Sequence, residues 1–145
     1  MQNAEEFFML MLTQQNRQEY ADKIIKMLDE YLYRHKRYHI HFALALCYCT
    51  NSASALAEII DIKRKTDRFL PLEQNLCSIV FDCINHDSSQ RAVQNLETQL
   101  QEVCLDTNYF LHTFNTLEYE NSTRMIDALF DALDQFLYRL KLQEI

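Results

Sequence analysis

The densest run of side chains able to do chemistry is Arg34-His35-Lys36-Arg37-Tyr38-His39-Ile40-His41, which holds three of the chain's five histidines. If a helix continues through it, His35 and His39 are four residues apart and share one face. Two imidazoles so placed can hold a divalent metal. His41, Cys47 and Cys49 follow closely, but no Cys-x-x-Cys or Glu-x-x-His spacing accompanies them. A metal on His35 and His39 is therefore the alternative, and no metal and no cofactor the leading expectation. The leading reading of the run is a solvated, cationic turn between two helices, with Lys36 and Arg37 complementing the negative end of a helix dipole. Such a turn would make a salt-dependent contact with an acidic partner.

The segment Arg34-His35-x-x-x-His39 resembles the Arg-polar-x-x-x-His motif of HEPN-type ribonucleases. That resemblance implies an all-α, usually dimeric enzyme. In it His39 would act as acid or base at a 2′-hydroxyl, and Arg34 would stabilise charge on the phosphorane. It stands as the alternative function. No Ser/His/Asp or Cys/His nucleophilic arrangement is visible elsewhere. Cys47, Cys49, Cys77, Cys83 and Cys104 lie in apolar surroundings and read as small hydrophobes, unreactive when buried.

Composition removes whole function classes. Among 145 residues there is no Gly. Phosphate-cradling loops, dinucleotide fingerprints and nucleophile elbows all need it at fixed positions. The net charge is −7, which disfavours nucleic acid and anionic membrane as general partners. Residues 1–69 hold 10 basic and 9 acidic side chains, giving +1, and residues 70–145 hold 4 and 12, giving −8. A basic partner would meet the second half first. Five unpaired-looking cysteines and a start without a basic leader point to a cytoplasmic site of action, leaderless export aside.

The elements that must position these groups read as helices. Met125, Ile126, Leu129, Phe130, Leu133, Phe136, Leu137 and Leu140 form one apolar stripe, with Asp127, Asp131 and Asp134 off it. Ile24, Ile25, Leu28 and Leu32 repeat the pattern, and Val93, Leu96, Leu100 and Val103 give a narrower one. Pro71 fits the first turn of a helix. Asn16, Asn51, Asn85 and Asn121 fall at the expected breaks, Asn being the next residue after Gly for a left-handed helix end. No stretch alternates long enough to argue a strand. The expectation is a single all-α domain over 1–145, with about eight helices as four stacked α-hairpins near 3–36, 38–66, 71–104 and 107–142, or else an irregular helical bundle.

Registered at 34 residues, four columns are wholly apolar: Phe8, Phe42, Leu76, Phe110; Met9, Ala43, Cys77, Leu111; Leu12, Leu46, Val80, Phe114; and Leu28, Ile62, Leu96, Phe130. With that period and the stretch His41-Phe42-Ala43-Leu44-Ala45-Leu46-Cys47-Tyr48, the chain resembles a divergent tetratricopeptide-like repeat protein. The resemblance implies a solenoid whose first helices line a concave groove, with Met9, Ala43, Cys47, Cys77, Phe81, Ile84 and Leu111 facing it. An apolar groove of that kind suits an amphipathic helix or extended peptide. The function expected is a non-catalytic protein–protein interaction module, an adaptor, chaperone-like or inhibitory protein. Its partner would be another protein, not nucleic acid or a membrane. A homodimer covering Leu140, Leu142 and Ile145 fits the same reading.

Overall fold

The computed structural model describes residues 10–50, 56, 60, 67–83, 86–103, 109–115 and 121–143. In chain order the elements are α1 (Gln14–Tyr38), β1 (His41–Cys49), β2 (Arg68–Glu73), β3 (Leu76–Cys83), α2 (His86–Val103), β4 (Tyr109–Asn115) and α3 (Ser122–Gln143). The expected all-α stack of hairpins is thus corrected, among the described residues, to three helices and a four-stranded antiparallel sheet of order β2-β3-β1-β4. The described residues form no helical repeat. The column residues Phe42, Leu76, Phe110 and Ala43, Cys77, Leu111 lie in β1, β3 and β4, but Leu76 and Phe110 meet Tyr48 across the sheet, and Phe42 and Ala43 sit at the other end of β1. Cys47 faces Cys77 on one side and Leu111 on the other.

The three periodic stripes did form helices. α1 starts where Thr13 and Asn16 exchange side-chain-to-backbone bonds. The Asn16 N–H donates to Thr13 Oγ1 (3.1 Å) and the Thr13 N–H to Asn16 Oδ1 (2.7 Å). Asn16 therefore opens a helix rather than ending one. α1 ends at His39, which adopts a left-handed conformation (φ 58°) and donates its N–H to the His35 carbonyl. Asn121 caps α3, its side-chain oxygen accepting the Arg124 N–H at 2.9 Å. Asn51 and Asn85 lie outside the described residues.

The segments expected as the first helices of later hairpins are strands. β1 explains why. His41 is half-buried and every later residue of β1 is buried, because both faces of the sheet are covered. A strand buried on both faces reads as a continuous apolar run, and the alternation that marks a strand disappears. Phe42, Leu44, Leu46 and Tyr48 pack with α1 and α3 around Ile24, Leu28, Leu129, Phe130 and Leu133. Ala43, Ala45, Cys47 and Cys49 pack on the opposite face with Leu96 and Leu100 of α2 and with Leu56 and Ile60. Small residues on that second face let α2 approach closely.

β2 and β3 form a hairpin across Gln74–Asn75. Asn75 locks it to the end of β1, donating Nδ2–H to the Cys49 carbonyl (3.0 Å) and accepting the Cys49 N–H at its own carbonyl (3.1 Å). Pro71 is not in a helix. It lies in edge strand β2 beside a register shift, a position where a missing N–H costs no ladder bond. From β3 the chain passes through α2 to β4 on the far side of β1, so β3 and β4 run parallel with β1 between them. This is the split β-α-β connection. No helix among the described residues is long and apolar enough to cross a membrane.

Candidate functional site

Among the described residues, those expected to line the groove do not form an open surface. Ala43, Cys47 and Cys77 are completely buried or nearly so, Phe81 is buried, and Leu111 is half-buried against the same cluster. α2 covers them. Met9 and Ile84 lie outside the described residues. The thiols of Cys47 and Cys77 are free and buried, and Cys49 is buried as well. Cys77 sits directly opposite Cys47, with that thiol as hydrogen-bond partner, and burial holds it well above the ordinary thiol range. A thiol so placed behaves as a small hydrophobe, as expected.

The Arg34–His41 run is split by the end of α1 into an anchored half and an exposed half. Arg34 is anchored. Its Nη1 lies 3.2 Å from Asp82 Oδ2 near the end of β3, and its guanidinium stacks over the Tyr31 ring at 4.7 Å. Asp82 is itself held, donating its backbone N–H to Asp67 Oδ1 at 2.8 Å. Arg34 Nε is buried with no hydrogen-bond partner among the described residues. His35 turns inward too. Its Nδ1 is 3.0 Å from the Ile40 carbonyl, which assigns a proton to that nitrogen, and its ring meets Phe42 edge-on.

The other half faces water. Lys36, Arg37, Tyr38 and His39 are exposed, as is Tyr33 one turn earlier. Tyr33 and Tyr38 are 57% and 59% exposed, the large apolar surfaces of this end of the molecule. The Arg37 guanidinium lies 6.0 Å from the Tyr38 ring centroid. The result is an exposed cap of two tyrosines, a lysine, an arginine and a histidine, held in place from beneath by Arg34 and His35.

This geometry bears on both chemical readings of the run. His35 and His39 do not share a helical face, because α1 ends at Tyr38 and His39 takes the left-handed turn. Among the described residues no group of three or more His, Cys, Asp or Glu side chains is placed to hold a metal ion. Arg34, the phosphate-stabilising group of the ribonuclease reading, is occupied by Asp82. His39 is exposed beyond the helix. The two tyrosines are what sequence reasoning missed. The available signal was their place off the stripe Ile24, Leu28, Tyr31, which predicts exposure for Tyr33.

At the opposite end of α1, Arg17 reaches α3 and gathers its acidic face. It lies 2.8 Å from Asp131, 3.7 Å from Asp134 and 3.9 Å from Asp127. The acidic run is therefore partly neutralised within the chain. Tyr20 donates to Glu73 at 2.7 Å, pinning α1 to β2, and burial together with that carboxylate pushes its phenol far above the usual tyrosine range.

No family model matches the chain, and no curated protein matches its sequence. Among solved structures, the chain is similar to a DGC protein from Thermotoga maritima. The TM-score is 0.63 at 8% identity, over 77% of this chain and 92% of that one. At that identity the likeness is one of fold, and it agrees with a mixed α/β architecture rather than a helical repeat.

Proposed function

We propose that the protein is a non-catalytic protein–protein interaction module whose contact surface is the exposed end of α1, and that its partner presents an acidic segment. The observation carrying this is the cap itself: Tyr33, Lys36, Arg37, Tyr38 and His39 all face solvent on a chain of net charge −7. Tyrosine and arginine are the side chains most enriched where proteins bind each other, and they concentrate binding energy in a few positions. The cap is preorganised. Arg34 and His35 fix the last turn from below, and the left-handed His39 fixes the exit of the chain, so little order remains to be imposed on binding. The acidic remainder of the molecule steers cationic partners elsewhere and leaves this end complementary to carboxylates.

The experiment is affinity capture from lysate of the source organism with the wild-type protein and with Lys36→Glu/Arg37→Glu, each treated with nuclease. A protein retained by the wild type, lost with the double variant and released by salt supports the reading. Retention of the same proteins by both forms contradicts it. Cleavage of RNA by the purified protein, abolished by Arg34→Ala or His39→Ala, would favour the ribonuclease alternative instead.

A further inference from the structure

The two edges of the sheet are built differently. β2 carries Arg68, Pro71 and Glu73 together with a register shift between Pro71 and Glu73. Charge, proline and irregular pairing are the devices that stop an edge from recruiting another strand. β4 has none of them. Its seven residues, Tyr109-Phe110-Leu111-His112-Thr113-Phe114-Asn115, include no Lys, Arg, Asp, Glu or Pro, and pair in unbroken register with β1. Among the described residues no strand lies beyond it.

We propose that β4 pairs antiparallel with β4 of a second copy of this chain about a two-fold axis at His112. The strand is self-complementary in that register. Phe110 of each copy falls opposite Phe114 of the other, and Leu111 opposite Thr113. Phe110, His112 and Phe114 already form a ring ladder on one face, with centroids 6.1 Å and 4.9 Å apart. Pairing two such ladders creates aromatic cross-strand contacts, which stabilise antiparallel sheets beyond their backbone bonds. Charge selects the same element. Two molecules of net charge −7 repel, and they do so least where the surfaces that meet are uncharged; β4 is an uncharged strand at the margin of the sheet. The two-fold contact uses up the β4 edge of each copy and leaves only the obstructed β2 edges outside, so it yields a dimer and not a fibre. It does not involve the exposed end of α1 and stands independently of the function proposed above.

Sedimentation velocity over a concentration series tests this with the full chain. The wild type should move from 17.4 kDa toward twice that mass as concentration rises. His112→Lys and His112→Glu each place like charges directly opposite across the axis. Each alone should weaken self-association at least tenfold, a step of about 1.4 kcal/mol. An equal mixture of the two should regain the dimer, because the introduced charges then oppose each other. Circular dichroism confirms that both variants fold. If one does not, Thr113→Lys is the replacement, again expected to weaken association. A wild type that stays monomeric up to about 1 mM, variants that associate as the wild type does, or a charge-swapped mixture no tighter than either variant alone would each overturn the proposal.

Discussion

Arg34 should behave as an anchor for the end of α1, and a double-mutant cycle with Asp82 measures that role. Its guanidinium is 3.2 Å from the Asp82 carboxylate, with side-chain exposures of 23% and 16%. At that distance the gross attraction is about 1 kcal/mol in a water-like medium and about 5 kcal/mol at an effective dielectric of 20. Desolvation and lost side-chain freedom offset most of the larger figure, so a coupling of about 1–2 kcal/mol is expected for the pair. The stack on Tyr31 at 4.7 Å adds roughly 0.5–1 kcal/mol. Arg34→Ala should therefore destabilise the fold by about 1.5–3 kcal/mol, and Arg34→Lys, which keeps the charge and loses the planar stack, by about half as much. Urea unfolding of wild type, Arg34→Ala, Asp82→Ala and the double variant gives the coupling directly. Additivity within about 0.5 kcal/mol would refute the anchoring role. It would leave Arg34 available for chemistry, and the ribonuclease assay would then become the next experiment.

Three further outcomes follow from the same structure. Leu46 is fully buried in the middle of β1. Leu46→Ala should cost about 2–5 kcal/mol and lower Tm by roughly 5–15 °C in thermal unfolding, whereas an unchanged Tm would remove it from the core. His39 is the non-glycine residue with positive φ among those described. His39→Gly should raise the urea midpoint, by about 0.5–1 kcal/mol of stability, and a lowered midpoint would contradict the left-handed cap. Burial pushes Tyr20, Tyr31 and Tyr48 above their ordinary value. The folded chain thus holds these phenolic protons more tightly than the unfolded one. Their stabilisation is complete below about pH 10 and is lost as pH rises beyond it. Urea midpoints measured from pH 8 to 11 should fall over the last unit, less steeply in Tyr20→Phe, and a flat profile would exclude this linkage.

How much of this was legible in the chain depends on whether an element keeps one wet face. α1, α2 and α3 do, so Ile24, Leu28, Leu96, Leu100, Leu129 and Leu133 stand out at helical spacing. β1 does not. With Leu44 and Leu46 under α1 and α3, and Ala45 and Cys47 under α2, its sequence has no polar beat and imitates a buried helix. The hairpin was concealed for a different reason. In a chain without Gly its turn is Gln74–Asn75, and Pro71, which reads as a helix start, is tolerated because β2 is an edge. Three of the 34-residue columns run through β1, β3 and β4, which lie beside each other in one sheet, and the fourth runs through the helix residues Leu28, Leu96 and Phe130. For the run Arg34–His41, the chemistry of the side chains was legible, but which of them turn inward was not. Whether Arg34 faces solvent depends on Asp82, 48 residues away, and no local pattern encodes that meeting.

Ala43, Cys47, Cys77 and Phe81, expected from sequence to line a binding groove, are the closed interior of the sheet, which leaves contact with other proteins to the outside. Cys47 and Cys77 report on it directly. Both are free, fully buried and face each other beneath α2. The native protein should be treated briefly with N-ethylmaleimide and the modified cysteines located by peptide mass spectrometry, with a parallel sample in urea. Cys47 and Cys77 should stay unmodified in the native sample and react fully in urea. Rapid modification of either thiol in the folded protein would show an open apolar channel where the account places a core.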